Sequence, residues 1–168
     1  MLRVVRLVLL GSLLVACGGG TATPIDGGPA DAAIDAGPSA ACIEAESHSD
    51  FTWIQDNIFV KQCTFSGCHN GAVGNAGKFD LRAGKAYASL VGNPSFLCPQ
   101  TADVTAGHPE QSYLMVMLGQ MQPADQAPPS CAVKTSVGLM PQGNPTTLLC
   151  SQKRDAIQRW IMAGALQD

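Results

Sequence analysis

The decisive stretch of this chain reads CTFSGCH and covers residues 63–69. Two thiols and one imidazole stand within seven residues, directly after a segment with a helical pattern of apolar side chains. Four residues separate Cys63 from Cys68, and His69 follows at once. Because thiols and imidazoles are both reactive groups and metal ligands, we expect the chemistry of the chain to lie in this cluster.

The cluster resembles a covalent haem attachment site. Haem c is held by two cysteines separated by two residues and followed by histidine. The spacing of four resembles the variant site of some multihaem cytochromes. Each thiol can form a thioether with one haem vinyl group, and His69 is then held beneath the iron as its proximal ligand. The longer loop must bulge outward, and Gly67 makes this easier because glycine tolerates unusual backbone angles.

The chain from residue 42 to residue 168 has the pattern of a mostly helical domain with long connections. In the first helix, Phe51, Ile54 and Ile58 lie on one face, and Asp50 or Ser49 can cap its start. Ser151 is the expected cap of the last helix, and Gly164 its end. The predicted helices cover residues 51–62, 83–90, 109–118 and 152–163.

These segments together resemble the class I cytochrome c fold, in the form found in secreted bacterial haem-domain lipoproteins. The resemblance covers about residues 50–166 and rests on the first helix, the 63–69 cluster, GHPEQSYLMVML (107–118), GLMP (138–141) and RWIMAGA (159–165). It implies an all-α fold in which the first and last helices cross. It also implies that Met140 binds the distal face of the iron, across an apolar slot from His69.

Three features depart from the family pattern: the cysteine spacing of four, the absence of a lysine-rich docking ring, and Cys131 in the proline-rich loop before Met140. With both axial positions filled, the implied haem transfers electrons and does not bind oxygen. The resemblance therefore implies a monohaem electron carrier with an unidentified redox partner, and we do not expect an enzyme.

Two other functions stay open. Cys63 and Cys68 can form a disulfide instead, which would leave a haem-free lipoprotein acting as a binding or structural module. If Met140 does not reach the iron, the open site could act as a haem enzyme on a small ligand or peroxide. Zinc is disfavoured because one histidine lies nearby and no second paired-cysteine knuckle exists.

The individual residues also have simpler interpretations. His69 can be a surface residue, and Met140 can fill a gap in the core. His108 would give a bis-histidine site, but its place before Pro109 favours a helix cap. We expect His48 to be exposed, and Trp53 and Trp160 to pack at the helix crossing or line a haem edge. The remaining methionines near the site are expected in the core or on the surface: Met115, Met117 and Met121.

Four further cysteines allow three disulfide connectivities, and the sequence alone leaves the choice open. We favour Cys98–Cys131, because both residues flank the region of the proline-rich loop, which we expect to be functional. Cys42–Cys150 would then join the two ends of the domain, which the resembled fold brings together.

The first 16 residues have the pattern of a signal peptide, with Arg3 and Arg6 before a short apolar stretch. The residues LVAC at 14–17 resemble a bacterial lipoprotein processing box, which implies cleavage before Cys17 and acylation of that residue. The alternative is an ordinary signal peptide cut near Ala16. Residues 17–41 are rich in Gly, Ala, Pro and Asp and are interpreted as a flexible linker.

These features predict a protein of the cell envelope, lipid-anchored at the outer membrane and facing the periplasm or the cell surface. The full chain of 168 residues carries a formal charge of −3, with 10 Lys and Arg against 13 Asp and Glu. This balance gives no sign of a nucleic-acid-binding surface.

Overall fold

A computed structural model describes residues 37–65, 67–71, 78–142 and 149–168. Within these residues the chain is helical and has no sheet, and its extended parts form isolated bridges such as Val91 with Val104. The predicted signal peptide, Cys17 and most of the predicted linker lie outside the described residues. No helix in the described ranges is long and apolar enough to cross a membrane.

The helices follow one another with long connections, as the sequence predicts, but their limits differ. Short 3₁₀ turns occur at Ala45–Ser47, Pro109–Gln111 and Pro123–Asp125. The α-helices are α1 (Ala40–Glu44), α2 (Phe51–Ile54), α3 (Val60–Cys63), α4 (Ala86–Leu90), α5 (Tyr113–Met117) and α6 (Ser151–Met162).

The predicted first helix is present as a continuous helical run from α2 to α3, joined by a π-helical turn at Gln55–Phe59. Asp50 caps it, because its carboxylate accepts a hydrogen bond from the backbone N–H of Trp53 at 2.8 Å. Ile54 and Ile58 are fully buried, so the predicted apolar face is the one that packs into the core.

Four helix predictions need correction. α1 begins at Ala40, inside the segment interpreted as linker, and its Cys42 is bonded to Cys150. α4 starts at Ala86, three residues later than predicted. The predicted helix 109–118 is broken at Ser112, whose hydroxyl donates to the carbonyl oxygen of His108 at 2.8 Å. α6 begins one residue earlier than predicted, so Cys150 and not Ser151 occupies the N-cap.

α6 holds the two ends of the domain together. It packs against α1, the Ala45–Ser47 turn and α2. The ring centroids of Phe51 and Trp160 are 5.2 Å apart at this contact, and Trp160 is 1% exposed. The Arg159 guanidinium donates to the carbonyl oxygens of Ala45 and His48 at 2.7 and 2.8 Å. The expected packing of the first long helix against the last one is therefore present.

Both favoured disulfides are present. Cys42 is bonded to Cys150, with 6.3 Å between their Cα atoms, and Cys98 is bonded to Cys131, with 5.5 Å between theirs. The first joins α1 to the start of α6. The second attaches the loop after α5 to the segment before it, and Cys98 is fully buried.

Candidate functional site

The 63–69 loop closes on itself at the end of α3. The backbone N–H of His69 donates to the carbonyl oxygen of Cys63 at 3.0 Å, and the N–H of Cys68 donates to that of Phe65 at 2.8 Å. Gly67 has a φ of +81°, a left-handed angle that side chains other than glycine rarely adopt. The bond to Cys63 thus brings the backbone of His69 back to the end of α3.

A second segment holds His69 from the other side. The backbone N–H of Leu81 donates to the carbonyl oxygen of His69 at 2.8 Å, next to a bridge between Asn70 and Asp80. The Phe79 ring meets the imidazole edge-on, with 5.7 Å between the centroids. His69 is therefore contacted, at its backbone and at its ring, by residues 10 to 12 positions further along the chain.

Cys63 and Cys68 are free thiols in this structure, and both are half-buried. The disulfide between them, considered as an alternative, is not formed. Burial and, to a smaller extent, the nearby Cys68 raise the pKa of the Cys63 thiol to about 12, whereas Lys153 acts in the opposite direction. Cys63 is therefore a neutral S–H group at physiological pH, so it is neither a strong nucleophile nor an ionic metal ligand by itself.

One cavity of about 260 Å³ joins the predicted site residues. Cys63 and His69 line it from the end of α3 and the following loop, and Met140 lines it from the long loop before α6. Most of the other lining side chains are apolar: Phe59, Phe79, Leu81, Leu90, Phe96, Leu97, Leu114, Met117, Leu118, Val137 and Leu149. An imidazole and a thioether thus share a mostly apolar cavity. Cys68 does not line this cavity.

Met140 is held by the backbone of α5. Its N–H donates to the carbonyl oxygen of Met117 at 2.8 Å. Its half-buried side chain packs against the main core and against a smaller buried cluster that contains Cys98 and Tyr113. The turn before it uses Gly138, whose φ of +72° is left-handed. The long loop is therefore pinned at the residue that the resemblance assigns to the iron.

Four polar residues that the sequence did not point to also line the cavity: Ser95, Asp103, Ser136 and Gln142. Of these, Ser95 and Asp103 are buried, at 2% and 4% exposed. Burial raises the pKa of Asp103 to about 7, and a hydrogen bond from the side chain of Ser95 opposes this shift. A single Asp in an irregular segment carries no pattern that points to a site, so only the tertiary structure reveals it.

The other histidines and the tryptophans lie away from the cavity. The exposed His108 begins the Pro109–Gln111 turn, and its Nδ1 is 2.8 Å from the Glu110 carboxylate. His48 is half-buried and not exposed as predicted, because it stacks on Trp53 with 4.3 Å between the centroids. Trp53 therefore packs on His48, and neither tryptophan lines the cavity.

The remaining methionines near the site lie in the core or at the cavity. Met115 is fully buried in the main core, and Met121 is partly buried against it. Met117 is 8% exposed and lines the cavity together with Met140, which the sequence analysis did not foresee. The uniformly apolar sequence of α5 indicates that Met117 is buried, but it does not indicate the cavity behind it.

Within the described ranges, no group of three or more His, Cys, Asp or Glu side chains is placed to hold a metal ion. No protein-family model, curated protein or solved structure matches this chain.

Proposed function

We propose that this chain is a monohaem c-type cytochrome, with a class I cytochrome c-like fold, that is lipid-anchored in the cell envelope and transfers electrons. One observation carries the proposal: Cys63, His69 and Met140 line a single apolar cavity. The porphyrin of a haem supplies four nitrogen ligands, so the protein needs to supply two. His69 and Met140 are an imidazole and a thioether, the axial pair of electron-transfer cytochromes c.

The residues fit such a group in their chemistry. Both thiols of the cluster are free and therefore available to form thioethers with the vinyl groups. The apolar wall suits the faces of a porphyrin and excludes water from the iron.

Each residue has a defined task in this proposal. Cys63 and Cys68 would hold the cofactor covalently. His69, whose imidazole contacts the Phe79 ring and whose carbonyl oxygen accepts from Leu81, would be one iron ligand. Met140, whose backbone N–H donates to the carbonyl oxygen of Met117, would be the other. Haem supplies one-electron redox chemistry when it is bound, and the filled axial positions keep that chemistry from becoming oxygen binding.

The test is a haem-stained denaturing gel of the mature protein, made in a host with a cytochrome c maturation system. We expect a haem band and the mass of one haem added to the polypeptide. Changing Cys63 and Cys68 together to Ser should abolish covalent haem. His69→Ala should abolish or strongly reduce it, whereas the matched variant His108→Ala should keep it, since His108 is exposed and outside the cavity.

A mature protein without added haem would overturn this proposal. If its Cys63 and Cys68 were then found joined, the haem-free binding or structural lipoprotein would take its place. If haem is present but Met140→Ala leaves the spectrum unchanged, the distal position is open and the haem enzyme becomes the better interpretation.

The anchoring rests on the sequence of residues 1–17. We propose that the signal peptide is removed before Cys17 and that acyl chains on this residue hold the protein at a membrane, because two or more chains bind stably. Mass spectrometry of the mature N-terminus should find an acylated cysteine. Cys17→Ser should release the protein from the membrane fraction, and an unmodified N-terminus near residue 17 would show an ordinary signal peptide.

A further inference from the structure

Asp103 lies between the central cavity and a second, more polar groove. The groove has a volume of about 300 Å³ and is lined by Lys78, Ser89 and Asn93, among other residues. Asp103 lines both spaces, although it is 4% exposed. Its carboxyl group is therefore the one ionisable side chain that the described residues share between the apolar cavity and the groove.

The backbone holds Asp103 firmly in this position. Its N–H donates to the carbonyl oxygen of Asn93 at 2.9 Å, and its own carbonyl oxygen accepts from the N–H of Leu114 at 3.0 Å. The side chain of Ser95 donates to the carboxylate. None of the ion pairs among the described residues involves Asp103. Burying a charged carboxylate that has one hydroxyl donor costs free energy, which favours the protonated form. This group therefore takes up a proton more readily than an exposed carboxylate does.

The charged and titratable groups around Asp103 are few. From α5, Tyr113 presents a buried hydroxyl without a hydrogen-bond partner, and burial followed by the charge of Asp103 raises its pKa. Lys78 lines the groove, where its Nζ lies 5.5 Å from the centre of the Phe96 ring. Cys63 and His69 face the cavity. Burial raises the pKa of Asp103 to about 7, so its charge changes in the neutral range.

We propose that Asp103 is a proton-binding site coupled to the redox centre, taking up a proton through the groove when the cofactor gains an electron and releasing it on oxidation. This rests on the proposed function. On reduction, one electron comes from a one-electron donor protein, and one proton passes from water to the Asp103 carboxylate. The reverse step returns the proton to water. The net charge inside the domain is then the same in both states.

The physical reason is the Coulomb interaction across an apolar wall. An electron added to the cavity repels a carboxylate more strongly there than in water, because the effective dielectric constant is lower. Reduction therefore favours the protonated acid, and by linkage protonation favours reduction. The groove gives the carboxyl group a polar route to solvent.

The test measures the midpoint potential of the haem-loaded protein by spectroelectrochemistry from pH 5 to pH 9. We expect the wild-type midpoint potential to fall as pH rises through neutrality, by at most about 59 mV per pH unit. This slope corresponds to a tenfold change in the equilibrium constant of the one-electron couple. Asp103→Asn should keep the absorption spectrum and show a flat potential. Glu110→Gln removes an exposed carboxylate and should behave like wild type.

An Asp103→Asn variant that keeps the wild-type slope would overturn the inference. A second measurement needs no variant: in redox-difference infrared spectra of the wild type, the carbonyl band of a protonated carboxylic acid should appear on reduction, and its absence would also overturn it. A protein that binds haem but has a pH-independent potential refutes this inference and leaves the proposed function standing. A protein without haem refutes both.

Discussion

The backbone N–H of Met140 donates a hydrogen bond to the carbonyl oxygen of Met117 at 2.8 Å, and the side chains of both residues line the same cavity. Two thioethers therefore reach the site from neighbouring points on α5 and the loop before α6. Met117 is 8% exposed and belongs to a rigid helix, whereas Met140 is half-buried and belongs to the loop. If the site holds haem as proposed, the loop residue Met140 can adjust its position to the iron without unpacking a helix.

Replacing Met140 with Leu should change the absorption spectrum of the haem-loaded protein and lower its potential, because the thioether is lost at nearly constant side-chain volume. Met117→Leu is the matched control, since it removes a sulfur from the same cavity. We expect that variant to keep the wild-type spectrum. The measurement is absorption spectroscopy of both oxidation states, and a change in the Met117 variant alone would assign the distal position to Met117.

Gly119 follows α5 and supports the loop that carries Met140. Its φ is +67°, and a Cβ added there would lie 3.2 Å from Cδ1 of Leu139. Gly119→Ala should therefore destabilise the fold by about 1–2 kcal/mol from the left-handed angle, with a further loss from the Leu139 contact. Urea denaturation measures the free energy of unfolding.

Gly92→Ala provides the control for this variant. Gly92 has a similar φ of +74°, but nothing lies within 4 Å of its added Cβ. Both variants should lose stability because of the left-handed backbone angle. Gly119→Ala should lose more, because its Cβ also meets Leu139. Equal losses would show that Leu139 moves aside freely and does not hold the loop.

Removing the disulfides should destabilise the domain to different extents. Cys42–Cys150 closes a sequence separation of 108 residues and Cys98–Cys131 one of 33. The chain-entropy relation gives losses of about 5 and about 4 kcal/mol respectively when each pair is changed to Ser. Thermal and urea unfolding of the two double variants provide the comparison. A larger loss for Cys98–Cys131 would mean that contacts around the buried Cys98 outweigh loop closure.

Asp103 should make the stability of the domain fall as pH rises. Its pKa is about 7 in the folded chain against 3.8 for an ordinary Asp, so between these values the folded state binds more protons than the unfolded state. The free energy of unfolding then decreases from about pH 4 to about pH 7 and levels off above. A pKa shift of this size lowers the free energy of unfolding by about 4 kcal/mol at most.

Asp103→Asn removes the titrating group and keeps an amide that can bond to Ser95. The variant should match wild type near pH 4 and be more stable than wild type at pH 8, as followed by urea denaturation across this range. If the two proteins show the same pH profile, the carboxyl group does not titrate between these limits.

Much of the helical layout could be predicted because it depends on local patterns. The apolar residues of the run 51–63 repeat with helical spacing, and Asp50 stands where a cap is needed, so both follow from neighbouring residues alone. The short α1 could not be predicted, since its composition resembles the linker and it is tied to α6 through Cys42. Likewise, the break at Ser112 depends on the bond from Tyr113 N–H to the Ala102 carbonyl oxygen.

The sequence by itself determined which reactive groups this protein has and where its long helices run, because spacing along the chain is a local property. Only the tertiary structure decided that Cys63, His69 and Met140 line one cavity and that Met117 and Asp103 line it with them. These residues come from four separate segments, and the burial that shifts the titration of Asp103 comes from packing between those segments. Packing between segments distant in sequence leaves no periodic signal in any one of them.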